Sequence, residues 1–286
     1  MQEIAPHVYI ETGFAGVTLG AIAWDHGLIL IDSPFKPDDT RSWRASLLNM
    51  GSSADRLLVN LDAHVDRTLG VRAMDCTVVG HEEIAEAFRS RPLTFKTQSS
   101  ETGAEWELHE GIANTRWAPP EITFTQNLVI HWDDNPIILE QWPGSAIGAI
   151  CIRIPNEQII FIGDIATPQQ PPFLAEANLP AWISTLQRLT SPEYKNFVII
   201  SGRGGVIRQE DVQTQLDFLQ NVKAQLDDLA SHQSASESTD PLVAGLLARF
   251  SIPHERKNQF QRRLQFGLKQ YYLHHYLPSP AGSAGE

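Results

Sequence analysis

Short β-branched runs recur through residues 8–200, and the way they are joined restricts the fold. The runs at 8–10, 17–24 and 28–31 follow closely, with Asp25-His26-Gly27 as a hairpin turn between the last two. From there strands and helices alternate. Helical spacing over 40–50 sets Trp43, Leu47 and Leu48 on one side. A buried strand follows at 57–59, a helix opening near Thr68, a strand at 78–80 and a helix over 81–88. Strand patterns resume at 128–130, 137–140, 149–154 and 159–162, with a helix over 179–189 and a buried strand at 197–200. Apolar residues at 212, 216, 219, 222, 226 and 229 give a long helix over 209–230. Hairpins mixed with strand–helix units predict an α/β (α+β) sandwich, sheets inside and helices outside.

Residues 1–230 are expected to form the domain, 231–240 a polar linker, and 241–286 a C-terminal helical extension with helices over 241–250 and 254–276 and a frayed tail from 278. Residues 89–120 are rich in Ser, Thr, Pro, Gly and Glu. They read as a long surface excursion, either a lid or a decoration.

Composition narrows the partners. The net charge of −12 argues against nucleic acid and anionic membranes. No stretch reaches the roughly 18 apolar residues of a membrane span. Only Cys76 and Cys151 occur, which fits a cytoplasmic protein without a disulfide framework. Arg256, Lys257, Arg262, Arg263 and Lys269 read as a solvated helix face. The helical tail is also a candidate surface for a homodimer.

Phosphate loops, GxGxxG, GxSxG and paired metal-type cysteines are all absent from the sequence. The informative segment is Asn60-Leu61-Asp62-Ala63-His64-Val65-Asp66-Arg67, directly after a strand. Alternate residues of an extended chain project to one side, so Asp62, His64 and Asp66 converge. Gly163-Asp164 repeats the pattern of an acid after a buried strand. Taken alone, such acids serve as helix caps or turn formers at least as readily.

In their order these segments resemble the metallo-β-lactamase-fold hydrolase superfamily. The 62–67 loop stands where its HxHxDH loop would be. Pro143-Gly144-Ser145-Ala146-Ile147-Gly148 resembles its next histidine turn, Gly163-Asp164 its Gly-Asp, and Ser201-Gly202-Arg203-Gly204 its last histidine turn. The run ending in Asp32 before a helix is also typical of it. The resemblance spans roughly residues 5–230 and implies a metallo-β-lactamase-like αββα sandwich, here with the C-terminal extension. It implies a ligand set too, from which this chain departs. Asp62, Arg67, Ser145 and Arg203 stand where the superfamily has histidines, while His64, Asp66 and Asp164 are kept.

Three readings follow. In the first, the dinuclear site is eroded and the protein is non-catalytic or binds a small anionic ligand through Arg67, Ser145 and Arg203. In the second, one divalent ion (zinc, manganese or iron) sits on Asp62, His64 and Asp164. The protein then hydrolyses an ester, lactone or similar bond, with Asp66 as base. In the third, the chain is an interaction module that dimerises through its tail. Arginine donates only and cannot ligate a cation, so a dinuclear centre is not expected. Arg67 and Arg203 should instead pair with Asp66 and Asp164. Trp142, just before the Ser145 turn, is expected to line the pocket.

Overall fold

The computed structural model describes residues 1–48, 50, 55–96, 102–132 and 134–277; the tail expected from 278 lies outside them. A first sheet holds β1 (Gln2–Ala5), β2 (Val8–Glu11), β3 (Leu19–Trp24), β4 (Gly27–Ile31), β5 (Arg56–Val59), β6 (Thr77–His81) and β7 (Ile122–Phe124), in that order. Between them run α1 (Pro37–Ser46), α2 (Val65–Thr68) and α3 (Glu82–Ser90). A second sheet has the spatial order β13 (Gly205–Ile207), β12 (Val198–Ser201), β11 (Ile159–Phe161), β10 (Ile150–Ile154), β9 (Ile137–Gln141), β8 (Asn127–Ile130). Around it lie α4 (Leu179–Leu189), α5 (Gln209–Ser231), α6 (Asp240–Leu247) and α7 (Lys257–His275).

Alternation along the strands builds the layers. Ile29 and Ile31 face inward with Ile150, Ile152 and Phe161 of the opposite sheet. Their neighbours Leu28 and Leu30 pack outward against Trp43 and Leu47. Cys151 and Ile160 face outward beneath the helices of the second sheet. A strand buried on both faces reads as a continuous apolar run, which is why these segments stood out in the sequence. Strands β1, β7 and β13 escaped the sequence reading. All three are sheet edges, partly exposed and three or four residues long, and carry no such run.

Three further expectations are revised. The second helix opens at Val65, where the His64 ring caps it, rather than near Thr68. Arg263 is 1 % exposed and belongs to the core side of α7, not to a solvated face. Trp142 does not reach the pocket. It follows β9 on the same side of the pleat as Glu140, outside the sheet, with its ring 5.3 Å from that of Tyr194 and the Arg188 guanidinium 4.8 Å above it.

Residues 231–240 pass from α5 into a 3₁₀ turn, Ser236–Thr239, whose Ser236 and Thr239 are buried. The Tyr272 hydroxyl donates to Ser234 O at 3.0 Å. The apolar side of α7 (Phe260, Leu264, Leu268, Tyr271 and Tyr272) packs within the chain. No helix among the described residues is long and apolar enough to cross a membrane.

Candidate functional site

The site grows from the carboxyl ends of two parallel strand pairs. β4 and β5 pair in parallel in one sheet, β11 and β12 in the other. Loops leaving such ends are the usual place for a site in α/β proteins. Asp32 follows β4, Asp62 follows β5, Asp164 follows β11 and Arg203 follows β12. Backbone bonds draw the loops together. Gly202 N donates to Gly163 O at 2.7 Å, and Ala63 N donates to Ile147 O at 3.1 Å. The second bond brings the Ser145 turn against the 60–67 loop.

Two buried guanidinium groups organise the centre. Arg67 faces Asp32 (Nη1–Oδ2, 2.9 Å), Asp62 (Nε–Oδ1, 3.1 Å) and, through Nη2, Asp164 Oδ1. Arg203 donates from Nη1 to Asp66 Oδ2 and from Nε to Asp164 Oδ2, both at 2.8 Å, and from Nη2 to His64 Nδ1 at 3.0 Å. Asp66 also accepts from Trp106 N at 2.9 Å and Glu105 N at 3.2 Å, so the 89–120 excursion is tied to the centre. Gly202 makes room for Arg67, because a Cβ there would stand 2.7 Å from Nη1.

The His64 tautomer follows from its partners. Nδ1 meets Arg203 Nη2 and Asp66 N, and both groups only donate. Nδ1 therefore holds the lone pair and Nε2 holds the proton. Burial, reinforced by Arg203, pushes the ring's pKa down to about 3, so the imidazole is neutral.

The carboxylates divide by environment. Burial is the largest influence on Asp66 and Asp164 and works to raise them, but Arg203 together with His64 and the Trp106 amide at Asp66, and with Arg67 at Asp164, holds both below the usual carboxylate range. Burial, helped by the charges of Asp164 and Asp32, lifts Asp62 to about 7 against the pull of Arg67. Burial also raises Asp32. These shifts oppose one another in pH dependence. From about pH 4 to about 7 folded Asp62 binds more proton than the unfolded carboxyl, so it lowers stability as pH rises. Folded His64 binds less proton than unfolded histidine from about pH 3 to 6.5, so it raises stability over that range. Asp62→Asn should therefore gain stability relative to wild type as pH rises from about 4 to about 7. Paired urea melts at pH 4.5 and 7.5 check this; an unchanged difference would contradict the shift.

A cavity of about 340 Å³ adjoins the centre. His64, Ser145 and Asp164 line it, with Phe173, Leu174 and Trp106, and α7 closes it with Arg263, Phe266 and Gly267. Asp62, Asp66, Arg67 and Arg203 belong to the network behind it rather than to its wall. The Ser145 hydroxyl and Asp62 Oδ2 are buried without a partner among the described residues.

Reading the sequence missed Asp32, Phe173 and Arg263. Asp32 was visible only as the end of a typical run, although it faces Arg67 directly. Phe173 sits in a proline-rich segment without periodicity. Its ring lies 4.4 Å from that of His64 and beneath the guanidinium groups of Arg203 (4.8 Å) and Arg263 (4.0 Å). Arg263 carried a usable signal, a charge inside the Phe260–Leu264–Gly267 stripe of α7.

No protein-family model and no curated protein matches this chain. Solved structures do. A metallo-beta-lactamase from Pontibacter korlensis superposes with a TM-score of 0.61 at 18% identity, over 77% of this chain and 98% of its own. A metallo-beta-lactamase family protein from Thermus thermophilus gives 0.64 at 16% identity, over 95% and 93%. This is the metallo-β-lactamase fold. The stereoselective inverting sec-alkylsulfatase Pisa1 from Pseudomonas sp. gives 0.65 at 16% identity over 96% of this chain, which spans about half (49%) of that protein.

Proposed function

We propose that this chain is a ligand-binding protein of metallo-β-lactamase fold in which two guanidinium groups take the place of metal ions. One observation carries the reading: the atoms that the resemblance offers as metal ligands already face arginine nitrogens. Asp62 Oδ1 and Asp164 Oδ1 face Arg67, while His64 Nδ1, Asp66 Oδ2 and Asp164 Oδ2 face Arg203. Asp62 Oδ2 and Ser145 Oγ are what is left, two oxygens without an imidazole, short of the three protein donors that a metal site uses. Among the described residues no group of three or more His, Cys, Asp or Glu side chains is placed to hold an ion. Two guanidinium groups also repel a cation at this distance.

Hydrolysis by the side chains alone is not favoured either. A Ser145–His64 pair would need the lone pair on Nε2, and the partners of Nδ1 fix it on Nδ1. Asp66 is enclosed by Arg203 and two backbone amides, so it has no path to a water in the cavity. The protein purified from rich medium should hold well under one divalent ion per chain, and added zinc or manganese should leave its melting temperature unchanged. Elemental analysis with a metal-dependent melting series tests this. One or more stoichiometric ions would return the single-metal hydrolase to first place.

A further inference from the structure

We propose that the cavity beside the arginine network takes a small monoanionic carboxylate with an apolar body, its head group seated by His64, Ser145 and Arg91. This deepens the ligand-binding reading above and rests on it. The polar functions still unengaged at the cavity, and their kind, select the ligand.

His64 lines the cavity and has its proton on Nε2, for which no partner is present among the described residues. Ser145 lines it too, is 4 % exposed, and its hydroxyl lacks a partner among the described residues. Leaving such a group unpaired costs on the order of 1–3 kcal/mol, so a ligand that meets it recovers affinity. Arg91 borders the same space. Its Nη2 donates to Ala63 O at 2.9 Å, and its guanidinium lies 4.8 Å from the Phe88 ring and 5.0 Å from the Trp117 ring. Its Nη1 is buried without a partner among the described residues.

Arg263 adds positive charge. Its bonds run to Gly103 O, Pro171 O and Gln170 Oε1, which are neutral acceptors. Of the acids on the wall, Asp164 is held by two guanidinium groups and Glu176 stands exposed at the rim. The open functions named here are donors, and Arg91 and Arg263 bring positive charge to the wall, with the Glu176 carboxylate acting on Arg91 from the rim. A cation is disfavoured beside these two guanidinium groups, and an anionic head group is attracted to them. Most of the remaining wall, with Phe173, Leu174 and Phe266, is aromatic or aliphatic, with Thr102, Gln270 and His274 as its further polar side chains, which suits an apolar body. A carboxylate offers two oxygens to these donors, whereas a phosphate dianion would bring more acceptors and charge than three donors satisfy.

Calorimetric titration of the full chain with octanoate, 1-octanol and octylamine, which share one tail, tests the assignment. Octanoate should bind about tenfold tighter than octanol, the worth of one charge-assisted hydrogen bond, and octylamine should not bind. Ser145→Ala and Arg91→Gln should each weaken octanoate while leaving octanol unchanged. Ser145→Ala keeps the test decisive where loss of Arg91 impairs folding. Octanol binding as tightly as octanoate, octylamine binding best, or none of the three binding would overturn the carboxylate seat. Those results leave the metal-free reading standing if elemental analysis is clean, whereas a stoichiometric ion in the purified protein would overturn that reading instead.

Discussion

Arg67→Ala should be among the most destabilising single substitutions in this protein, lowering the melting temperature by about 10 °C or preventing soluble expression. Arg67 is fully buried and faces Asp32, Asp62 and Asp164. A buried charge that loses its partner costs about 3–5 kcal/mol, and here one truncation strands several carboxyls. That is a large share of the roughly 5–15 kcal/mol that keeps a domain folded. For a chain of this size each kcal/mol moves the midpoint by about 2–4 °C. Arg67→Lys should recover only part of the loss, because an ammonium is a point charge and cannot face carboxylates along several edges of a plane. Mild acid should narrow the gap between Arg67→Ala and wild type, since protonated carboxyls no longer need the cation. Melting curves at neutral pH and at pH 5 decide the matter. An alanine variant within about 2 °C of wild type would mean that the network does not hold the two sheets' loops together.

The same residues show what a sequence can reveal and where it stops. Strands such as Gly27–Ile31 and Ile150–Ile154 were legible because both of their faces are buried, and an uninterrupted apolar run is the imprint of that environment. The Asp62–Arg67 loop was legible as an alternation of polar side chains after a strand end, but only its order among the other segments separated it from a cap or a turn. Arg203 was legible only through a resemblance that fixed its place after a strand. The third partner of Arg67 was harder. Asp32 reaches the centre because its backbone adopts φ +59, a left-handed turn that nothing in the local sequence announces. Arg263 was misjudged because charge was weighed above position. It falls three residues after Phe260 and one before Leu264, on the buried stripe, where a cation must find acceptors. It finds carbonyl oxygens in the 102–108 and 170–173 segments, contacts between regions distant in sequence. A sandwich with sheets inside and helices outside could be read from local patterns, and its αββα form from the resemblance, but the closure of the cavity by α7 could not.

The charge-replacement reading makes its strongest demand on the double variant Arg67→His, Arg203→His, which should bind at least one divalent ion where the wild type binds none. Each guanidinium now supplies to the carboxylates the positive charge that a metal would supply. Removing both leaves Asp62, Asp66 and Asp164 without their guanidinium partners and exchanges two obligate donors for two imidazoles with lone pairs. His64 Nδ1 loses Arg203 Nη2 at the same time and keeps only the longer bond from Asp66 N, at 3.3 Å. The donor set then holds carboxylates and imidazoles within one shell, which suits zinc or manganese. Without metal this variant should be less stable than wild type, for the reason given for Arg67→Ala. With metal it should recover, by about 2.7 kcal/mol once the free ion reaches a hundredfold excess over its dissociation constant. Calorimetric titration paired with melting curves across a zinc series measures both effects. Adding Asp164→Ala to the double variant should abolish the gain, since that carboxylate faces both replaced positions. A double variant that folds yet binds no ion would show that the cavity's geometry, and not merely the guanidinium charge, has moved away from metal binding. An ion bound equally well with Asp164→Ala present would place the metal elsewhere and remove the basis for treating Arg67 and Arg203 as its substitutes.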